Sequence, residues 1–482
     1  MINIIEKIVS YCNNILWSYV LIALLIVLGI YFTIKSGFVQ FRFLGDMFRL
    51  LGDGASDSIS SEEKKGVSSF QAFCISTASR VGTGNLAGVA IAISLGGPGA
   101  VFWMWLIAFI GAASSFVEST LAQIYKVSDK HGFRGGPAYY METALGKRGL
   151  GIVFSVLITV SFGLIFNSVQ SNTISFAFEK AFGVDRNIIG LVLAAATGFI
   201  IFGGVKRIAK VTEIIVPIMA VSYVLVALFV LVKNFSSIPS VFSLIMSNAF
   251  EFKSAAGGGM GAAVMMGIKR GLFSNEAGMG SAPNAAATAG VSHPVKQGLI
   301  QTLGVFTDTI LICSATASII LLSGMYTDKT LAGIQLTQAA LSSQVGPWGN
   351  NFIALCILLF AFSSIVGNYY YGETNIEFMN TNKAWLLAYR ISVVSMVMFG
   401  ARSEIQIVWD MADLFMGAMA LINLVAIFFL ANKAFDALGD YAAQKRLGID
   451  PVFFKDSIPG IENATCWEYK DGTNLKKKKM TR

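Results

Sequence analysis

Two glycine-rich stretches interrupt apolar segments of the sequence, and they hold the residues with the clearest chemical potential. The first is VGTGN at 81–85, and the second is SNEAGMGSAP at 274–283. A helix broken inside a membrane frees backbone N–H and C=O groups that lipid cannot bond, so the break must face a protein-lined cavity. Freed N–H groups suit a carboxylate, whereas freed carbonyls suit Na⁺ or an ammonium group. Unless the glycines only permit close helix packing, the two breaks predict a cavity for a zwitterion and a monovalent cation.

Polar side chains within the apolar segments are the next candidates, because burying them in a membrane is costly. Phe166 and Gln170 lie four residues apart and share a helix face, so Gln170 faces either a ligand or a neighbouring helix. Ser363, Ser364 and Asn368 lie in one later segment. The serine hydroxyls would join freed carbonyls as oxygen ligands of a small cation, unless each hydroxyl bonds a carbonyl one turn earlier.

Several charged residues lie deep enough in these segments to need partners. They are Glu118, Glu213, Glu276, Lys269, Arg270, Asp410 and Asp413. Internal ion pairs would account for them, and a carboxylate that binds and releases protons is the alternative. The GxGxxA pattern at 82–87 matches a dinucleotide fingerprint, but its flanks are apolar segments and the next acid is Glu118. Because no phosphate loop, catalytic dyad or metal-binding spacing accompanies it, the sequence predicts neither an enzyme nor a cofactor.

The composition is that of a membrane protein. Of 482 residues, 55% are hydrophobic and 13% are charged, whereas about 25% of a typical soluble domain is charged. Long apolar runs favour an all-α polytopic protein over a barrel, whose strands alternate apolar and polar residues. The net charge of +8 agrees with basic cytoplasmic loops, so we expect no nucleic-acid partner.

The apolar runs predict about eleven transmembrane helices, which we number as spans 0 to 10. Their bounds are 16–34, 68–95, 99–125, 150–178, 187–203, 212–231, 258–289, 299–322, 352–371, 384–400 and 405–430. The breaks lie in spans 1 and 6, so each opens a block of five spans. Because five is odd, the second block is inverted relative to the first. Paired broken helices at matching positions of two such repeats indicate the site of a secondary transporter.

Basic residues alternate between the loops. They collect at 35–65, 126–148 and 206–210, at Lys296 and Lys383, and in a tail that contains Lys476–Lys479. By the positive-inside rule, the N-terminus lies outside and the C-terminus lies in the cytoplasm. We therefore expect an extra helix with an amphipathic cytoplasmic segment (1–65), two repeats (66–235 and 255–430) and a basic cytoplasmic tail (431–482). The lysine run is also a candidate for contact with anionic lipid.

Four motifs resemble those of the alanine/glycine:cation symporter family. They are VGTGNLAG at 81–88, GPGA at 97–100, RGGPAYY at 134–140 and KRGLFSNEAGMGSAP at 269–283. The resemblance covers about residues 15–435 and implies a prokaryotic plasma-membrane symporter of Na⁺ and an amino acid. It also implies the leucine-transporter-like fold, a five-plus-five inverted repeat with one extra N-terminal helix. The expected partners are an amino acid, Na⁺ as coupling ion and membrane lipid, with a monomer sufficient for transport.

The resemblance further implies roles for individual residues. The substrate site would comprise Thr83, Gly84 and Asn85 of span 1, Phe166 and Gln170 of span 3, Phe273, Asn275, Gly278 and Met279 of span 6, and Ser364 and Asn368 of span 8. The span 1 backbone would receive the substrate carboxylate, and span 6 would meet the ammonium group. The sodium site would use the carbonyls of Ala78, Val81 and Phe360 and the hydroxyls of Ser363 and Ser364.

The chain departs from the family pattern at Asn368. It has GNYYYGE at 367–373 where many members resemble GWSYYGE. Asn368 in place of an indole enlarges the pocket and adds a donor and an acceptor, which predicts glutamine first, then asparagine or serine, with alanine and glycine close behind. Proton coupling through Glu276 or Glu118 remains an alternative. A membrane sensor that binds amino acids without moving them and an ion channel are further alternatives.

Overall fold

The computed structural model of the protein describes residues 2–60, 66–129, 132–250 and 259–468. Unbroken helices form nine of the predicted spans in this part of the chain. Span 0 is 2–35, span 2 Ala100–Ile124, span 3 Arg148–Phe182, span 4 Arg186–Ile201, span 5 Gly204–Lys233, span 7 Pro294–Ser323, span 8 Trp348–Met379, span 9 Lys383–Arg402 and span 10 Ile405–Arg446. Several exceed the predicted bounds because their helical turns continue past the apolar run.

Spans 1 and 6 are each broken, as the glycine-rich stretches predict. Span 1 consists of Ser69–Arg80 and Gly84–Gly96, and span 6 consists of Gly259–Asn275 and Ala282–Ala286. Wider π-helical turns occur at Gly84–Gly88 in span 1, Thr159–Phe166 in span 3 and Phe306–Cys313 in span 7. Such turns are frequent at functional sites, and a fourth lies at Leu16–Val20 in span 0.

Seven helices of the described part are long and apolar enough to cross a membrane: spans 2, 3, 5, 7, 8, 9 and 10. The other four predicted spans fall short of that length as single apolar helices. Spans 1 and 6 are divided by their breaks, whereas the apolar helices of spans 0 and 4 are Leu21–Lys35 and Arg186–Ile201. The chain is a multi-pass α-helical membrane protein, and the shortfall from eleven has these local causes.

Glycines allow the spans to approach one another closely. A Cβ built on Gly400 of span 9 would lie 2.2 Å from the Ser168 carbonyl oxygen of span 3. A Cβ on Gly267 of span 6 would lie 2.4 Å from the Ala100 carbonyl oxygen of span 2. Small residues at helix contacts are the usual basis of packing between membrane helices. Gly400 and Gly267 therefore allow span 9 to pack closely on span 3 and span 6 to pack closely on span 2.

Shorter elements connect the spans, and the apolar pattern predicts none of them except the amphipathic segment. The helices are Val39–Arg42, Leu44–Ser60, Pro137–Thr143, Ile238–Ala249 and Ile334–Val345; Val127–Asp129 pairs antiparallel with Gly132–Arg134; and 3₁₀ turns occur at Phe235–Ser237, Met325–Thr327, Lys455–Ser457 and Thr465–Trp467. In the amphipathic segment, Met47 and Leu50 are buried whereas Phe41 and Phe48 are exposed. The loop residues Lys64, Lys65 and Lys130 lie outside the described residues.

The predicted tail (431–482) requires a correction over residues 431–468. Span 10 continues as one helix to Arg446, and residues 447–468 then fold back onto the ends of other spans. The Phe453 N–H donates to the Ser292 carbonyl (2.9 Å), and the Trp467 Nε1–H donates to the Gln123 carbonyl (2.9 Å). The buried indole of Trp467 explains why this segment packs. We call this side of the molecule the C-terminal face; the run Lys476–Lys479 lies outside the described residues.

Candidate functional site

The first break lies directly against span 8. The helix Ser69–Arg80 ends at Val81, whose ψ of 88° departs from helical values, and the Gly82 N–H donates to Asn85 Oδ1 (2.9 Å). A Cβ on Gly82 would lie 2.2 Å from Ser364 Oγ. Only glycine therefore fits between the break and the serines of span 8.

Gln170 of span 3 holds the first break by two hydrogen bonds. Its Oε1 accepts from the Thr83 N–H (3.0 Å) and from the Thr83 hydroxyl (2.6 Å). The freed N–H of Thr83 is thus bonded to a neighbouring helix. Gln170 and Thr83 are both buried, and a ligand carboxylate that took this N–H would displace the Gln170 amide oxygen.

Oxygen atoms of spans 1 and 8 meet beside this break. Ser364 Oγ lies 2.8 Å from the Ala78 carbonyl oxygen and 3.0 Å from that of Phe360, and the Ser363 hydroxyl donates to Phe360 (2.8 Å). Both serines thus bond one turn back, and Ser364 also reaches span 1. Val81 follows Ala78 by three residues and is buried. Neutral carbonyl and hydroxyl oxygens in a buried cluster are a donor set that fits a hard cation such as Na⁺.

Aromatic rings cover the break on the side away from the C-terminal face, which we call the opposite face. The ring centroids of Phe166 and Phe273 are 4.7 Å apart, and those of Phe273 and Trp409 are also 4.7 Å apart. A Cβ on Gly84 would lie 3.0 Å from Phe273 Cδ1. Phe166, Phe273 and Trp409 are at most 5% exposed, so the rings close the space above the break.

The second break is held by Glu118 of span 2. The N–H groups of Gly278 and Gly280 donate to its two carboxyl oxygens (3.1 and 3.0 Å), and Asn423 Nδ2 donates to Oε2 (2.8 Å). The Met279 N–H donates to the Glu276 carbonyl (3.1 Å). The backbone donors of this break are therefore bonded within the protein.

Asp308 of span 7 is buried beside the first break, and it was not among the residues predicted from the sequence. Its carboxylate accepts from Asn85 Nδ2 (2.7 Å), the Ser274 hydroxyl (2.8 Å) and the Thr309 hydroxyl (2.9 Å). Asn275 Nδ2 donates to the same Thr309 hydroxyl (3.2 Å). The sequence did contain a signal for this residue, because an aspartate within the apolar run of span 7 is a charge that needs a partner.

Asn368 belongs to a buried network between spans 1, 3, 6 and 8. Its Oδ1 lies 2.7 Å from Ser79 Oγ, and its Nδ2 donates to Asn167 Oδ1 (3.2 Å). Ser79 Oγ also lies 2.8 Å from Glu276 Oε1. Asn368 is therefore anchored by span 1 and span 3, and it retains one N–H and one lone pair for further bonding.

Comparison with known proteins fits this arrangement. A model of the sodium:alanine symporter family matches residues 2–455. The chain belongs to this family. It is 59% identical over 471 residues to the probable sodium/glutamine symporter GlnT of Bacillus subtilis, with 98% of each chain covered. It is 58% identical to the amino-acid carrier protein AlsT of the same organism, over 96% of this chain and 98% of the relative.

A third relative and a solved structure extend the comparison. The sodium/alanine symporter AgcS of Methanococcus maripaludis is 40% identical over 88% of this chain and 95% of its own length. The crystal structure of MhsT in complex with L-phenylalanine matches with a TM-score of 0.54 at 13% identity, covering 78% of this chain and 99% of that one. At this identity the match concerns the fold alone, and it confirms the leucine-transporter-like architecture.

An ion-pair cluster lies on the opposite face, and its span 6 residues precede Phe273 by one helical turn. Lys269 Nζ and Arg270 Nη2 lie 2.7 and 2.5 Å from Asp413 Oδ2. The Arg270 guanidinium also lies 4.7 Å from the Trp409 ring centroid, and the Trp17 indole of span 0 donates to the Asp413 carbonyl (3.1 Å). These charges are thus internal ion pairs, and they join span 6 to span 10.

The predicted site residues separate into two groups in space. One group surrounds the first break and includes the predicted sodium ligands; its members are Ala78, Val81, Thr83, Gly84, Asn85, Phe166, Gln170, Phe273, Phe360, Ser363 and Ser364. Asn275 and Asn368 border that group through Thr309 and Ser79. Gly278 instead lies against Leu424 and Ser114, beside Glu118, and the Met279 N–H bonds within the second break.

Proposed function

We propose that this protein is a secondary active transporter that couples uptake of a small neutral amino acid to Na⁺ by alternating access. The observation that carries the proposal is the Ser364 hydroxyl, which lies between the carbonyls of Ala78 and Phe360 at the edge of the first break. A cation bound there would order the unwound part of span 1. The ordered Thr83–Gln170 junction and the aromatic cover would then enclose the substrate, after which one group of spans moves against the other.

Glutamine is the substrate that we propose first. Two relatives, 59% and 58% identical to this chain, carry the names probable sodium/glutamine symporter and amino-acid carrier protein. Asn368 occupies less volume than the indole of many alanine/glycine members, and its remaining N–H and lone pair suit a side-chain amide. Asparagine and serine would follow, with alanine and glycine close behind.

The proposal includes an orientation and a location. The C-terminal face carries Lys296 and Lys433, and by the positive-inside rule we place it in the cytoplasm. The protein would lie in a prokaryotic plasma membrane with its N-terminus outside. Residues 66–235 and 255–430 would form the two inverted repeats, and a monomer bound to membrane lipid would suffice for transport.

The test is uptake of labelled glutamine and labelled alanine into proteoliposomes with an inward Na⁺ gradient. Replacement of Na⁺ by choline at fixed pH should stop accumulation, whereas continued accumulation would favour a proton-driven carrier. Binding without accumulation in sealed vesicles would favour a sensor. Asn368→Trp should lower the ratio of glutamine to alanine uptake, and an unchanged ratio would refute the substrate argument.

A further inference from the structure

Glu276 occupies a backbone position that disfavours a side chain. Its φ is +58°, in the left-handed region, whereas Gly278 and Gly280 adopt positive φ in the same break. A residue with a Cβ is strained there and persists where its surroundings require it. The Glu276 side chain is buried, and its two oxygens contact the hydroxyls of Ser281 and Ser79.

The hydrogens around Ser79 can be counted from the network. Asn167 Nδ2 donates to the Gly163 carbonyl (2.9 Å), so its Oδ1 faces Asn368 and accepts from Asn368 Nδ2 (3.2 Å). Asn368 therefore presents its oxygen to Ser79 Oγ (2.7 Å), which lies 2.8 Å from Glu276 Oε1. Three oxygens in a row need two hydrogens, and a serine hydroxyl holds one. The amide oxygen of Asn368 carries none, so the second hydrogen must be on Glu276.

Glu118 and Asp308, the other carboxylates that bond the two breaks, have a different environment. Glu118 accepts from two backbone N–H groups and Asn423, and Asp308 accepts from an amide N–H and two hydroxyls. Each of these three-donor sets suits an ionised carboxylate, which only accepts. Of these three carboxylates, Glu276 is the one that faces a hydroxyl, that of Ser79, whose hydrogen is already donated to Asn368 Oδ1.

We propose that Glu276 is a proton-binding site and that, in this structure, it carries a proton on Oε1 and donates it to Ser79. The ligand is a single proton, and the acceptor chain runs through Ser79, Asn368 and Asn167. The charged and titratable groups that face Glu276 are Arg80 of span 1, Asp308 of span 7 and Tyr371 of span 8, with Glu118 of span 2 at the other end of the break.

The charge of this buried region agrees with a neutral Glu276. Arg80 is the positive side chain among the described residues that face the three carboxylates. With Glu276 protonated, Glu118 and Asp308 leave one excess negative charge, which one Na⁺ would balance. An ionised Glu276 would require a second cation in a region where unpaired charge is costly.

The first experiment detects the proton on Glu276 in the absence of any amino-acid substrate. Infrared spectra of the full-length protein in nanodiscs at neutral pH should contain the C=O stretch of a protonated carboxylic acid that Glu276→Gln lacks. Glu373→Gln is the matched control and should keep the band, because Glu373 is paired with Arg390 (3.2 Å) and hence ionised. Ser79→Ala should shift the band, because the acid loses its acceptor. Identical spectra of the wild type and Glu276→Gln would overturn the proposal.

The second experiment measures labelled glutamine binding at saturating Na⁺ across pH, and it rests on the proposed function. The side-chain amide introduced by Glu276→Gln can donate to Ser79 and accept from Ser281. This variant should therefore bind the labelled glutamine within about threefold of the neutral-pH wild type at every pH. Wild-type binding should fall at least about tenfold at alkaline pH, when the second hydrogen is lost. Loss of binding in Glu276→Gln at neutral pH, with binding kept in Glu276→Asp, would overturn the proton site. Absence of glutamine binding in the wild type would refute the proposed substrate and leave the infrared result standing.

Discussion

Replacement of Gly82 by alanine tests whether the close approach of the first break to span 8 forms the sodium site. A Cβ at this position would lie 2.2 Å from Ser364 Oγ and 2.9 Å from Gln170 Oε1. Both distances are shorter than any ordinary contact of a methyl carbon, so Ser364 must rotate or the break must move. Either response separates the Ser364 hydroxyl from the Ala78 carbonyl, which it now approaches to 2.8 Å.

The magnitude follows from the cost of inserting one methyl group into a packed site. Overpacking of this kind costs about 1–3 kcal/mol. If the whole cost falls on the sodium-bound state, the Na⁺ concentration for half-maximal uptake rises about five- to 150-fold, since 1.4 kcal/mol is a factor of ten. The maximal rate should change less, because the substitution leaves the aromatic cover in place.

The assay is the Na⁺ dependence of labelled glutamine uptake into proteoliposomes, with melting temperatures as a check on folding. Gly88→Ala is the matched control in the same span, because its Cβ would lie 3.8 Å from the Thr83 carbonyl and from Trp409, an ordinary contact. It should leave the Na⁺ dependence unchanged. A wild-type Na⁺ dependence in Gly82→Ala, or an equal loss in both variants, would refute the reasoning.

Three further changes test other parts of the molecule. Asp308→Asn should reduce Na⁺-driven uptake at least about tenfold, because an amide cannot accept the three donors that the carboxylate accepts; wild-type uptake would contradict this. Trp467→Ala removes a buried indole that donates to the Gln123 carbonyl, so it should destabilise the packing of residues 447–468 by about 3 kcal/mol and speed limited proteolysis of this segment. Leu447→Ala is the control and should do neither, because the Leu447 side chain is 74% exposed. Burial lowers the pKa of Lys126 from 10.5 to about 7, so between pH 7 and pH 10.5 the unfolded chain binds more protons than the folded chain. The free energy of unfolding should therefore rise with pH in this range by up to about 1.4 kcal/mol per pH unit. Lys126→Met should abolish this slope.

The sequence predicted the features that depend on local pattern. Apolar runs located the spans, and the glycine-rich stretches located both breaks, because a break needs backbone freedom that the printed residues reveal directly. The four-residue spacing of Phe166 and Gln170 correctly indicated one helix face, since Gln170 bonds Thr83 and Phe166 stacks on Phe273. Of the two interpretations of Gln170, the bond to a neighbouring helix is the one in the structure.

The partners of the breaks could not be predicted, because they come from distant parts of the chain. Asn85 and Asp308 are 223 residues apart, and Glu118 and Gly278 are 160 apart. Local periodicity shows that a residue is buried but not which helix will face it. The same limit applies to Trp467, whose position on Gln123 depends on how residues 447–468 turn back after span 10.

The strengths of these distant bonds indicate which spans move together. Glu118 joins span 2 to span 6, and Asp308 joins span 7 to Asn85 of span 1, in both cases by bonds to a buried carboxylate. Bonds with an ionised partner are roughly twice as strong as neutral ones. Span 1 meets span 3 through the neutral amide of Gln170 and span 8 through the neutral hydroxyl of Ser364. Spans 1, 2, 6 and 7 should therefore move as one unit, and the boundary that opens should run between them and spans 3 and 8, where the proposed Na⁺ would replace neutral contacts with stronger ones.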